Sequence, residues 1–305
     1  MSRAIGIWDL GAGSLFRGAE KVTNGNMELD ANWSVYGGSN VSERSSEQSH
    51  TRQYSRKITL DGSGTGGGIL QGVSGLTIGQ TYKFSAWFRG LDMVADNFGI
   101  YVSPSDVQTH IAVSNGAWLN LSVLFLASAT SHNVFIRILS TNVANANKSF
   151  YVDDVSVQEI YFKDDSDNSN TGTPANVPVF GAGTRANNDA LVTNGSSDKV
   201  TIGNIAEIMK SVSFWLNLDD NTTRDIIDFD GGTHVISVDG SGDIIATGFV
   251  SPTIYINNVT GDPAIAIGEF TNVIVSTDTG ILVSNLVIGF ETTWLDGSIC
   301  KVRLY

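Results

Sequence analysis

The 305-residue chain has one cysteine, Cys300, and only five prolines. A single cysteine excludes an intrachain disulfide. Its setting, Ile299-Cys300-Lys301-Val302, is a strand pattern, so it reads as a small buried hydrophobe. Charge is scarce at 16% of residues, and positive charge scarcer: 18 Lys+Arg stand against 31 Asp+Glu, a net charge of −13. Such a chain is repelled by nucleic-acid phosphate and by anionic lipid. The densest basic stretch, residues 44–57, is diluted by Glu43 and Glu47. No apolar run approaches the ~18 residues that span a bilayer, so membrane insertion is not expected. The N-terminus lacks the apolar core of a secretory signal, so synthesis in a cytoplasm is expected and the sequons at Asn32, Asn120 and Asn221 read as coincidences.

Catalytic patterns are also missing. His50, His110, His132 and His234 are scattered, without a His-Glu-x-x-His pair, and no Gly-x-Ser-x-Gly elbow occurs. Residues 62–67 spell Gly-x-Gly-x-x-Gly, yet they lie between strand patterns with no helix to hold a pyrophosphate. A strand with the paired carboxylates that glycoside hydrolysis requires is absent. Asp228 and Asp230, before Gly231-Gly232, read as a strand-end turn. The expected set of catalytic residues is empty.

What the chain does have is glycine, 33 residues of it, and 41% hydrophobic residues. Apolar content at this level can bury a core. The dominant period is two, the period of half-buried strands. Tyr82, Phe84, Ala86 and Phe88 oppose Lys83, Ser85, Trp87 and Arg89; Val134, Ile136 and Ile138 oppose Phe135 and Arg137; Val212, Phe214 and Leu216 oppose Ser213, Trp215 and Asn217. Turn pairs punctuate the runs at Asp61-Gly62, Asn115-Gly116, Asn194-Gly195, Asp239-Gly240 and Asp296-Gly297. The one helix-like stretch is residues 205–210. This predicts an all-β protein: two tandem antiparallel β-sandwiches over 21–160 and 179–305, a polar linker over 161–178, and an extended N-terminal arm over 1–20. The arm carries Ile5, Ile7, Trp8, Leu10, Leu15 and Phe16, apolar residues that need a partner.

Asn24-Gly-Asn-Met-Glu28 with Trp33, then Tyr54-Ser-Arg-Lys-Ile58, Gly79-Gln-Thr-Tyr-Lys-Phe-Ser-Ala-Trp87 and Phe150-Tyr-Val-Asp-Asp-Val-Ser-Val157, make the first block resemble carbohydrate-binding modules of the family 4/9/22 type. The resemblance implies a jelly roll with a face that binds glycan. It also implies a structural calcium joining the two ends of the domain, which falls on Glu28 and Asp154, with Asp153 as second choice. Ser211-Val-Ser-Phe-Trp-Leu-Asn217, Thr253-Ile-Tyr-Ile-Asn-Asn258 and the closing run 295–305 make the second block resemble laminin-G-like, concanavalin A-like sandwiches. Phe270-Thr-Asn-Val273 replaces the usual Trp-His-His-Val strand there.

Sugars are held by aromatics that stack on pyranose faces and by polar groups that fix hydroxyls. Trp87 with Arg89 is the leading candidate, joined by Tyr36, Tyr101 and Phe135. Trp33, Trp118 and Trp215 read as core. Tandem modules of this type without a catalytic domain or export signal resemble bacteriophage head-decoration and tail-adhesin proteins. That resemblance implies a non-enzymatic protein on a virion surface, its arm docked on a major capsid or tail protein or on copies of itself. The alternative is a free carbohydrate-binding lectin or adhesin that meets a cell-surface glycan; an accessory protein of glycoside hydrolases is a lesser one.

Overall fold

The computed structural model describes residues 4–11, 15–62, 66–94, 96–139, 143–166, 168–175, 179–181, 190–260, 264–290 and 292–305. Gly13 of the arm, residues 63–65 of the glycine loop, and residues 167 and 176–178 of the expected linker lie outside them. The regular secondary structure of the described chain is almost wholly antiparallel strand, and the chain separates into two compact units: Gly18–Glu159, and Met1–Arg17 together with Ile160–Tyr305. No helix among the described residues is long and apolar enough to cross a membrane.

The first unit is a sandwich. One sheet orders its strands as Ser34–Gly37, Gly67–Ser74, Ser131–Ile138, Asn97–Ser103, Val107–Ala112. The other contains Leu119–Leu126, Thr81–Leu91, Ser149–Phe162, Ser55–Leu60 and Ser39–Ser45, in that order. The inward positions are those the alternation predicts. Tyr82, Phe84, Ala86, Phe88, Val134, Ile136 and Ile138 are all buried in one core with Met27, Phe98, Ile100 and Phe150. Burying a side chain of this size contributes about 1.5–3 kcal/mol, so one mispaired strand forfeits several such contributions at once.

The Asn24–Glu28 motif is a folding device. Asn24 brackets its turn, accepting from the Leu29 amide at 2.9 Å and donating to the Leu29 and Ala31 carbonyls. Gly25 passes so close to Val155 that a Cβ there would collide with the Val155 carbonyl. Met27 fills the core, and the Trp33 indole donates to the Asn24 carbonyl at 3.1 Å.

The second unit is also two-layered. Seven strands of one sheet run in the order Val179–Gly181, Ala190–Asn194, Asp296–Leu304, Glu207–Leu218, Thr271–Val283, Thr253–Ile256, Val259–Thr260. The facing sheet orders Thr173–Ala175, Lys199–Gly203, Leu286–Ile288, Arg224–Asp228, Val235–Val238, Ile244–Thr247. Val212, Phe214, Leu216, Ile226, Ile236 and Val302 belong to its core.

Four sequence-based expectations are corrected here. Residues 205–210 form no helix: Glu207–Leu218 is a strand, with Met209 fully buried and Ile208 exposed. Pairing with Thr271–Val283 overrides the local helical preference. Asp296-Gly297 opens a strand instead of making a turn, and glycine is required there because a Cβ would collide with the Asn217 carbonyl.

The stretch 161–178 is not a free linker. Phe162 lies in the second core and Thr173–Ala175 is a strand of the second sandwich. Asp164, 1% exposed, organises the loop between them. It accepts from the Ile7 amide, the Ser166 amide and hydroxyl, and the Asn170 amide and side chain at 2.8–3.3 Å.

The arm does not wait for an outside partner. Gly6–Trp8 pairs with Asp296–Leu304, Trp8 opposite Val302, along the part of that strand which Ala190–Asn194 leaves free. Trp8 and Leu10 are fully buried in the second core, and the Trp8 indole donates to the Asn170 carbonyl at 2.8 Å. Ile5 and Leu15 pack on the same core. Ile7 turns to the other side of its short strand and is half-buried. Phe16 alone keeps a large exposed area, and it stacks on Tyr161 at 6.1 Å.

Candidate functional site

The five aromatic and cationic residues expected to form one glycan site fall on opposite sheets of the first sandwich. Trp87 and Arg89 point outward from Thr81–Leu91, whereas Tyr36, Tyr101 and Phe135 point outward from the other sheet. The pleat forces this, because each set belongs to strands whose alternate residues face the shared core.

The Trp87 side is covered. Residues 48–54 lie over it, and the His50 ring stacks on Trp87 at 3.9 Å and 18°, with Trp118 edge-on to His50 at 5.6 Å. Three carboxylates hold this loop. Asp153, fully buried, accepts from the His50 and Thr51 amides at 2.9 and 3.2 Å and from the Asp154 amide at 2.8 Å. Asp154 meets His50 Nδ1 and the Thr51 hydroxyl, each at 2.7 Å. Glu28 accepts from the Gln53 and Tyr54 amides at 3.0 Å. Desolvation pushes the Asp153 carboxyl up to about 6, against the pull of those amides. Arg89 lies beside Tyr151, whose hydroxyl donates to Glu47 at 2.6 Å, and burial pushes that phenol above its ordinary range.

Glu28, Asp153 and Asp154 are the residues to which the resemblance assigns calcium. Calcium takes six to eight oxygen ligands. Here the carboxylate oxygens point at N–H and O–H donors, and among the described residues no group of three or more His, Cys, Asp or Glu side chains is placed to hold a metal ion. The residues do not fit the ion. Proton donors of residues 50–54 provide the tie that a cation would otherwise supply.

On the opposite face, among the described residues, no loop ring stacks on the aromatics as His50 stacks on Trp87. Phe135 stands between Tyr36, edge-on at 5.0 Å, and Tyr101, tilted at 5.3 Å. The Arg137 guanidinium lies over the Tyr101 ring at 5.1 Å, and its Nη2 donates to Gln108 Oε1 at 2.9 Å. Between Tyr36 and Arg137 the paired position is Gly68, where a Cβ would collide with the Ile136 carbonyl, so no side chain rises there. The face continues into a depression of about 380 Å³ lined by Gly72, Ser74, Ser103, Pro104 and Asn133. All three rings are half-buried and offer flat apolar surface beside hydroxyls and amides, the composition of a sugar site. Arg137 and Gln108 are the functional candidates that sequence reasoning missed. The Phe135/Arg137 alternation did mark Arg137 as outward-facing, but the strand that brings Gln108 alongside it was not recognised.

Elsewhere, Trp33 is core as expected, but Trp118 and Trp215 are half-buried and turn away from their cores. Asp228 caps the amides of Asp230, Gly231 and Gly232 and is a turn residue. His132 is buried with Nε2 against Ser105, and desolvation lowers its pKa.

Residues 19–146, within the first sandwich, match the family model described as a carbohydrate binding domain. No curated protein matches the chain. Among solved structures, the tandem CBM22-1–CBM22-2 domain of Paenibacillus barcinonensis Xyn10C is 14% identical, covering 94% of this chain and 90% of its own at a TM-score of 0.41. TmCBM61, solved with β-1,4-galactotriose, is 16% identical over 46% of this chain and 98% of its own, with a TM-score of 0.38. By the family model, the first sandwich is similar to carbohydrate binding domains.

Proposed function

We propose that the first sandwich binds a glycan without cleaving it, on the open face built from Tyr36, Phe135 and Tyr101. One observation carries this reading: an aromatic row beside polar groups, with no loop ring stacked on it among the described residues, in the segment that matches a carbohydrate-binding family. The chain then acts as a carbohydrate-binding module or lectin-like adhesin whose partner is a polysaccharide or cell-surface glycan. Affinity electrophoresis through gels containing polysaccharides tests it. Phe135→Ala or Tyr101→Ala should weaken binding about tenfold or more, with unfolding temperature nearly unchanged. Undiminished retardation in both variants overturns the reading.

Display on a virus particle is the narrower reading. It rests on tandem modules without a catalytic domain or export signal and expects the arm to dock outside the chain, whereas Trp8 and Leu10 bury their apolar surface inside it. The glycan-binding reading therefore takes precedence. A laminin-G-like relationship for the second sandwich is part of the proposal, supported by the Ser211–Asn217 pattern on a strand paired on both sides.

A further inference from the structure

We propose that the open face selects an acidic glycan, a chain of sugars bearing carboxylates, and that Arg137 is the residue that selects it. The inference rests on the reading of this face as the glycan site.

The first observation is electrostatic. The chain has 31 acidic residues, yet none of the residues that the five strands turn outward on this face is Asp or Glu. Those positions are Ser34, Tyr36, the alternate residues from Gly68 to Ser74 and from Ser131 to Arg137, Asn97 to Ser103, and Gln108 to Ala112. The covered face of the same sandwich carries Glu43, Glu47, Asp153 and Asp154.

The second observation concerns the cation itself. Lys57 is paired with Glu47, Arg56 with Asp30, and Arg224 with Asp220 and Asp296. Arg137 has no carboxylate partner among the described residues: its Nη2 goes to the neutral Gln108, its Cζ lies 5.1 Å from the Tyr101 ring centroid, and its Nε is enclosed without a hydrogen-bond acceptor. A half-buried guanidinium without a counter-charge lacks the partner its fork is shaped for, a planar two-oxygen anion.

Position completes the argument. Phe135 and Arg137, two residues apart on the strand beside Tyr101, both meet its ring. A pyranose resting on the Tyr101–Phe135 surface carries its C5 substituent to the rim of the ring. When that substituent is a carboxylate, the guanidinium is its nearest cation; when it is a hydroxymethyl, the charge stays unanswered.

The test uses the full chain in titration calorimetry against polygalacturonate, alginate and glucuronoxylan, each paired with its carboxyl-reduced counterpart. At least one acidic polymer should bind about tenfold more tightly than its reduced form, the scale of one charge-assisted hydrogen bond. The preference should shrink as salt is raised. Arg137→Gln should abolish the preference while still binding the reduced polymer, and Arg137→Lys, which keeps the charge and loses the fork, should retain part of it. Equal or tighter binding of the reduced forms, or an unchanged preference in Arg137→Gln, overturns the selection of acid and leaves the glycan site standing. Failure of every polymer in both forms overturns the site as well.

Discussion

Trp87 and Phe135 occupy the same kind of position on opposite sheets of one sandwich. Each points outward from a strand whose alternate residues fill the core. Each looks, from its neighbours in sequence, like a sugar platform. One is roofed by His50 and the loop latched through Glu28, Asp153 and Asp154; the other stands between Tyr36 and Tyr101 with no loop ring stacked on it among the described residues. Period-two alternation says which way a side chain points. What lies above it is decided by loops that carry no period.

A third aromatic, Trp8, marks the extreme of the series, because its cover is complete. The largest effect is expected there. Trp8→Ala should destabilise the second sandwich by about 3–5 kcal/mol, the range for truncating a buried aromatic. Glycan binding should be untouched, since Trp8 and the open face lie in different units. Calorimetric unfolding alongside affinity electrophoresis measures both. A variant as stable as the wild type would return the arm to an outside partner.

Trp87→Ala should lie in the middle: about 1–2 kcal/mol less stable through the lost stack on His50, with polysaccharide retardation unchanged. It is the mirror image of the Phe135→Ala result, and a Trp87 variant that loses glycan while keeping its stability would reverse the assignment of the two faces.

The smallest effects concern the latch. The Asp153 carboxyl is pushed up to about 6 by desolvation, against about 3.9 for an unperturbed Asp. The folded state therefore holds the proton more tightly than the unfolded chain. The corresponding stability is fully present below pH about 4 and is lost as pH rises through about 6. Melting of the first sandwich across this window should show that slope, and Asp153→Asn should flatten it. Chelation with EDTA should leave the melting temperature where it was; a drop would show that a cation does share these carboxylates.

Much of the fold was legible because burial imposes a period. Tyr82 through Phe88 and Val212 through Leu216 declare their inward faces in the sequence, and the structure honours each. The open face was legible only residue by residue. Tyr36, Tyr101 and Phe135 could be named as glycan candidates, but their company could not, because strand order is a long-range property that no local pattern encodes. Asp164 shows the same limit in polar guise. In a stretch of Asp, Asn and Ser it reads as solvated linker, yet it is the buried acceptor of five hydrogen bonds that ties residues 5–8 to the loop 164–170. Composition cannot separate a carboxylate facing water from one facing five donors.

The pairing of Gly6–Trp8 with Asp296–Leu304 has a consequence for how the chain is made. The first of these strands leaves the ribosome early and its mate comes after all the intervening chain. The sandwich of residues 18–159 can close in the meantime, because every strand it needs has been synthesised. The second sandwich must keep Trp8 and Leu10 uncommitted until its own final strand emerges. The order of birth thus favours closure of residues 18–159 first, with the arm as the last seam to be sewn.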